Sequence, residues 1–118
     1  MICEPWSVVV VPFPFSERRG AKRRPALVLS RKRFNNKGHT ILAMITTTSH
    51  SPWPGDIKID TLEPTGLQVA CLIRLKLFTL DNRLVLEKIG KLAPGDRQRT
   101  SSSLGQNLVG LASFNLEV

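Results

Sequence analysis

The chain has 118 residues, of which 42% are hydrophobic and 22% charged, and its formal net charge is +8. This length and balance are typical of one globular domain spanning residues 1–118 and exclude a disordered chain. No apolar run reaches the roughly 18 residues of a membrane-spanning helix, so we expect no membrane partner.

The charges are unevenly distributed along the chain. No Asp or Glu lies between Arg18 and Gly55, although nine of the seventeen Lys and Arg and both His fall in that interval. A solvated surface usually mixes both signs, so this asymmetry favours a face that binds a polyanion, and a chance solvated face is the alternative. The nine cations are Arg18, Arg19, Lys22, Arg23, Arg24, Arg31, Lys32, Arg33 and Lys37.

The first half of the chain predicts three strands. The run "VVVV" at 8–11 is β-branched and indicates a strand buried on both faces, and the prolines of "PFPF" end it. A polar loop then leads to a second strand, "PALVLS" at 25–30, which begins with Pro25. A basic turn, "RKRFNNKG", separates it from the third strand, "HTILAMITTT" at 39–48.

The second half predicts shorter elements. "IKID" alternates as a half-exposed strand, and "QVACLIRLKLFTL" supplies one or two more strands. "LVLEKIG" is compatible with a short helix or a strand, and we favour the strand. Five or six short strands joined by turns predict a small antiparallel barrel or curled sheet.

A helix is expected at the C-terminal end. Pro94 suits its first turn, and Asp96 complements the positive end of the helix dipole. Gly105 and three serines lower its intrinsic propensity, so packing must hold it in place. The expected buried face carries Leu104, Leu108, Leu111 and Ala112 at helical spacing.

The cysteines do not predict a metal site. Cys3 and Cys71 lie far apart without a Cys-x-x-Cys spacing, and a zinc site would need both His39 and His50 as well. Two free thiols in a reducing compartment are the favoured interpretation, with no metal and no other cofactor. The N-terminal stretch has no basic segment or cleavage site of a signal peptide, so we expect a cytoplasmic protein.

Four stretches in order resemble successive motifs of the MazF/PemK toxins, the endoribonuclease half of toxin–antitoxin pairs. They are "VVVVPFPF", "KRRPALVLS", "AMITTTSH…WPGDIKI" and "IRLKLFTLDNRLV…KIGKLAP", and together they cover about residues 5–95. The resemblance implies a mainly β fold with α, a small SH3-like barrel of the CcdB/PemK type made by a twisted antiparallel sheet with a C-terminal helix. It also implies a homodimer and an acidic antitoxin protein as partner.

The implied activity is metal-independent cleavage of single-stranded RNA by the neighbouring 2′-hydroxyl, which leaves a 2′,3′-cyclic phosphate. Carried over by position, the catalytic residues are Arg24, Thr46 and Arg74. Guanidinium groups grip phosphoryl oxygens in a planar fork, and a threonine hydroxyl donates to the same phosphate. Further RNA contacts are expected from Arg18, Arg19, Lys22, Arg23, Thr47, Thr48, His50 and Lys76.

One position departs from the family pattern. Some members carry a carboxylate two residues after the later arginine, where it acts as general base, and Lys76 stands there in this chain. Because an ammonium group is a hydrogen-bond donor, the base must come from elsewhere. We favour His50, beside the threonines, over Glu17 in the first loop, and a loop histidine without a catalytic role is the alternative for His50.

Two other functions are compatible with the sequence. One is a non-catalytic barrel that binds RNA or DNA through its basic face, and the other is a gyrase-poison toxin of the same fold that acts through protein contacts. Only the nuclease requires Arg24, Thr46 and Arg74 to converge on one phosphate. Trp53, between two prolines, is expected either to stack on an unpaired base or to pack over the end of the barrel.

Overall fold

The computed structural model describes residues 1–12 and 22–108. Six strands form one antiparallel sheet in the order β4-β5-β3-β2-β1-β6, which confirms the predicted curled sheet. Phe13, Phe15, Glu17, Arg18 and Arg19, and Leu111 and Ala112 of the expected helical face, lie outside the described residues. The strands are β1 (Ser7–Pro12), β2 (Arg23–Val28), β3 (His39–Thr47), β4 (Ile57–Lys58), β5 (Cys71–Asp81) and β6 (Glu87–Lys91).

The sheet buries apolar side chains on both faces. Alternation along β1 puts Val9 and Val11 into one hydrophobic cluster and Val8 into another, and all three are fully buried. We call the side of Val9 and Val11 the first face and the side of Val8 the second face. On β2, Ala26 belongs to the first face and Leu27 to the second.

Strand β2 begins two residues earlier than the sequence suggested. It starts at Arg23, so Arg24 lies within the strand and not before it. Pro25 pairs with Val10 of β1, and the ladder to β3 begins only at Ala26. Pro25 has no N–H to donate, and it lies where β2 has no β3 partner. The residue before a proline prefers extended backbone, which suits Arg24 to a place in the strand.

Strand β5 is a single strand of 11 residues with a bulge. Ala43 of β3 pairs with Leu77, but the next residue, Met44, pairs with Arg74. Two residues of β5, one of them Lys76, are therefore left unpaired with β3 at this point. Such a bulge bends the strand and increases the local twist.

The basic turn after β2 is one turn of helix, α1 (Lys32–Asn35). Asn35 is buried, and its side-chain amide donates to the backbone carbonyl oxygens of Cys3 at 2.8 Å and Ser30 at 3.1 Å. The side-chain amide of Asn82 donates to the backbone carbonyl of Asn35 at 2.6 Å. This network fixes the turn at the end of β2 opposite to Arg24.

The C-terminal helix α2 (Pro94–Leu108) begins at the predicted proline but does not bury the predicted face. Leu108 is 49% exposed and Leu104 is only half-buried, whereas Asp96 and Thr100 are buried. The leucine stripe was therefore the wrong contact surface within the described part of the helix. None of the helices between residues 22 and 108 is long and apolar enough to cross a membrane.

A carboxylate anchors α2 to the sheet. Asp96 accepts the backbone N–H groups of Asp60 at 3.1 Å and Thr61 at 3.0 Å and contacts the guanidinium of Arg99. Ser103, two helical turns further on, donates to the Gly55 carbonyl at 2.7 Å. The helix is thus positioned by directed hydrogen bonds to the segment around β4.

Both cysteines are free and buried, and they belong to different clusters. Cys3 packs on the first face and Cys71 on the second, so the sheet separates them. Burial raises the pKa of both thiols above the ordinary value. They therefore stay protonated at neutral pH and behave as small apolar side chains.

Candidate functional site

The three residues expected to be catalytic lie on one face of three neighbouring strands. Ala26 of β2 pairs with Met44 of β3, and Met44 pairs with Arg74 of β5. Arg24 is two residues from Ala26, and Thr46 is two residues from Met44, so alternation puts all three on the first face. On paired strands Thr46 lies diagonally across from Arg74, a separation of about 7–8 Å, and Arg24 lies near the same end of the sheet, two residues before β2 pairs with β3.

These side chains differ in exposure. Arg24 is exposed, whereas Thr46 and Arg74 are 8% and 9% exposed. The exposed guanidinium is open to an incoming anion, and the threonine hydroxyl beside it is held by a packed strand. Burial of Arg74 requires a partner for its charge, because an unpaired buried charge is strongly unfavourable.

That partner is Asp56, which the sequence did not suggest. Nε of Arg74 donates to Oδ1 at 3.1 Å, and Nη2 donates to Oδ2 at 3.0 Å and to the Ser51 carbonyl at 2.8 Å. The two-point ion pair ties the loop of residues 48–56 to β5. The only hint in the sequence is that Asp56 is the first acid after the acid-free interval. The catalytic role expected for Arg74 stays a prediction.

Trp53 stands at the same corner of the first face. Its ring centroid lies 5.8 Å from Cζ of Arg74 and 5.9 Å from Nζ of Lys76, within the range of cation–π contacts. The backbone N–H of Trp53 donates to Oδ2 of Asp56 at 2.9 Å. Lys76, on the bulge of β5, is thereby placed beside the predicted site.

A cavity of about 190 Å³ opens where β2 begins and β3 ends. His50 is among its lining residues together with Arg24 and Thr46. Ile45, Leu67 and Cys71, which also line it, belong to the cluster on the second face, so the cavity lies mainly on that side of the strand ends. Glu17, the other candidate, lies outside the described residues. The full lining is Arg24, Pro25, Ile45, Thr46, Thr47, His50, Leu67, Gln68, Val69 and Cys71.

The other predicted RNA contacts that belong to the described residues lie near the same end of the sheet. Lys22, Arg23, Thr47 and Thr48 are exposed near the same ends of β2 and β3. Arg23 is four residues before Leu27, so alternation puts it on the second face, opposite to Arg24. Within residues 1–12 and 22–108, no three His, Cys, Asp or Glu side chains group closely enough to hold a metal ion.

The ion pair of Asp56 is expected to contribute substantially to stability. Asp56→Asn keeps the shape of the side chain but leaves the buried Arg74 guanidinium without its counter-charge, so we expect a loss of about 3 kcal/mol, the lower end of the range for a broken buried pair. The matched control is Asp60→Asn. Asp60 pairs with Arg99 at the same 3.0 Å, but its side chain is 65% exposed, compared with 16% for Asp56.

The measurement is the free energy of unfolding in urea for the two variants and the unmodified protein. Because exposed ion pairs contribute about 1 kcal/mol or less, Asp60→Asn should lie close to the unmodified protein. Equal losses in both variants would contradict a stabilising role for the buried pair.

Comparisons with known proteins agree with this architecture. Residues 4–108 match the family model for the PemK-like, MazF-like toxin of type II toxin–antitoxin systems. A search of curated proteins found no match.

Solved structures share the fold at low sequence identity. MazF (Form-I) from Deinococcus radiodurans is 21% identical with a TM-score of 0.69, covering 90% of this chain and 96% of that one. A chain of MazE-MazF (Form-III) from the same organism is 18% identical with a TM-score of 0.71, covering 90% and 95%. An endoribonuclease in complex with its cognate antitoxin, from Mycobacterial species, is 14% identical with a TM-score of 0.69, covering 88% and 92%. These likenesses confirm the predicted fold.

Proposed function

The chain belongs to the PemK-like, MazF-like toxin family of type II toxin–antitoxin systems, and from this premise we propose that it is an endoribonuclease that cleaves single-stranded RNA. The observation that supports this most is that Arg24, Thr46 and Arg74 lie on the same face of three adjacent strands. A barrel that only binds RNA or DNA has no need for such a cluster. A gyrase poison has no need for the cationic interval beside it.

In the proposed reaction the RNA supplies its own nucleophile. The 2′-oxygen loses its proton to a base and attacks the adjacent phosphorus, and the bond from phosphorus to the 5′-oxygen breaks. The departing 5′-oxygen takes up a proton, so the products are a 2′,3′-cyclic phosphate and a 5′-hydroxyl. The protein has to move these two protons and stabilise the additional negative charge on the phosphate.

The exposed Arg24 is suited to the phosphoryl oxygens, because a guanidinium is always charged and offers two parallel donors. Thr46, next to it on the same face, donates its hydroxyl to the same phosphate and holds it in line. His50 is the candidate for removing the 2′-proton, since it lines one cavity with both. Arg74, whose charge is paired with Asp56, fixes the loop of residues 48–56 beside this face.

Cleavage of a long single-stranded RNA by the purified protein tests this function. We expect cuts at a limited set of sites, both with and without EDTA, and no cuts in a fully base-paired RNA of the same sequence. The new 3′ ends should resist enzymatic tailing until the cyclic phosphate is removed. Intact RNA, or new ends that carry a 3′-hydroxyl, would contradict the proposal.

We also propose that the protein is a homodimer and that an acidic antitoxin covers its cationic site. Two of the neighbouring structures were solved as a MazE-MazF pair and with a cognate antitoxin. A dimer sediments with twice the 13.1 kDa mass of the chain, and a single-chain mass at micromolar concentration would contradict it.

Charge reversal tests the antitoxin contact. Replacing Arg23 and Arg24 by Glu should weaken binding of the acidic partner strongly, because both cations flank the site. The matched control reverses Lys32 and Arg33, two exposed cations at the opposite end of β2. Titration calorimetry compares the two double variants, and equal affinities for both would place the partner elsewhere.

A further inference from the structure

The loop of residues 48–56 presents a tryptophan in a fixed position beside the site. The guanidinium of Arg74 binds the Ser51 carbonyl on one side of Trp53 and the Asp56 carboxylate on the other. The backbone N–H of Trp53 donates to that carboxylate, and the backbone N–H of Asp56 donates to the Trp53 carbonyl at 3.1 Å. One buried arginine therefore holds the loop on both sides of the indole.

The indole is nevertheless far from buried. It contacts Arg74 and Lys76 at about the outer limit of a cation–π interaction, yet 43% of the residue is exposed. A tryptophan that completes a core is mostly covered, because its large apolar surface is unfavourable in water. Phe34, another exposed aromatic residue, lies on α1 at the far end of β2. Among the described residues, Trp53 is the exposed aromatic side chain that borders the predicted catalytic residues.

We propose that Trp53 is a stacking platform for an unpaired base of the RNA, next to the phosphate that is cleaved. This inference rests on the proposed RNA substrate and adds the residue that recognises a neighbouring nucleotide. Unpaired bases offer their flat faces to aromatic side chains, and single-stranded RNA is recognised largely in this way. Lys76, 5.9 Å from the Trp53 ring centroid, brings positive charge to the phosphate of the stacked nucleotide. The loop thereby influences which sequences are cut.

The chain allows a direct optical test, because it contains only two tryptophans, Trp6 and Trp53. Trp6 precedes β1, packs against the cluster on the second face, and bonds through its backbone to Val28 and Leu92. In Trp6→Phe the fluorescence therefore comes from Trp53 alone. The probe is a short RNA with the sequence that the unmodified protein cuts, protected from cleavage by 2′-O-methyl groups.

We expect this RNA to quench the fluorescence of Trp6→Phe, and the same RNA annealed to its complement to leave it unchanged. Trp53→Phe, which keeps an aromatic ring, should retain most of the RNA affinity but lose the quenching. Trp53→Ala should bind the RNA about tenfold to a hundredfold more weakly, the scale of one lost base stack. Its preference among cleavage sites should also broaden.

The outcomes separate this inference from the proposed function. If the unmodified protein cleaves RNA but Trp53 is not quenched and Trp53→Ala keeps the same affinity and cleavage sites, the stacking platform is wrong and the nuclease stands. If the unmodified protein cuts no RNA, the probe is a 2′-O-methyl RNA of mixed sequence; quenching of Trp53 by this single strand then leaves the platform correct and the nuclease wrong. Trp53 is exposed, so Trp53→Ala should keep the free energy of unfolding of the unmodified protein. Urea unfolding measures this and shows that the variant is folded.

Discussion

Arg24→Ala is expected to lower the single-turnover rate of RNA cleavage by about a hundredfold or more, the usual scale for one lost donor to a charged transition state. Arg24 is exposed on the first face beside Thr46 and lines the same cavity as His50. A contact that strengthens as charge develops on the phosphate appears in the chemical step, so RNA affinity should change little.

The matched control is Arg23→Ala, because Arg23 is the adjacent residue, is exposed and carries the same charge, but points to the opposite face. This variant should mainly weaken RNA binding and flatten its salt dependence, as expected of a cation that attracts the RNA backbone. Both variants are compared at two salt concentrations, by binding and by single-turnover cleavage of one short RNA. Equal, salt-sensitive losses would make Arg24 another general RNA contact and remove its catalytic assignment.

His50→Gln is expected to lower the same rate by about a hundredfold, at the lower end of the range for a lost general base. Glutamine retains polarity and size but does not take up the 2′-proton. The measurement is the single-turnover rate of RNA cleavage by the variant and by the unmodified protein.

His39→Gln is the control for this substitution. His39 begins β3 and is exposed at its far end, whereas His50 follows the end of the same strand. The rate of His39→Gln should match that of the unmodified protein. A His50→Gln variant with an unchanged rate would return this residue to an ordinary loop position and leave Glu17 as the remaining candidate base.

The strands were predictable because their burial follows from local composition. The β-branched run around Val9 lies in β1, and the third strand was predicted at 39–48 and observed as His39–Thr47. Pro25 misled the boundary of β2, since its missing N–H suggested a strand start. The β3 ladder simply begins one residue later, at Ala26, which leaves room for the proline inside the strand.

The contacts between distant segments were not predictable from local patterns. Asp56 meets Arg74 only because the loop after β3 folds over β5, 18 residues along the chain. Helix α2 illustrates the same point. Periodicity identified the leucines around Leu108, but the helix contacts the segment after β4 through the buried carboxylate of Asp96. A single polar residue that hydrogen-bonds to a neighbouring segment does not repeat along the sequence, so periodicity does not reveal it.

In the proposed reaction the 2′-hydroxyl of the RNA attacks the phosphate on the face that carries Arg24 and Thr46. An RNA with two cleavage sites tests this step when a single ribose, at the scissile position of one site, is replaced by 2′-deoxyribose. We expect cleavage to stop at the substituted site and to continue unchanged at the other. Continued cleavage at the deoxyribose would require water or a protein side chain as the nucleophile and would contradict the proposed reaction.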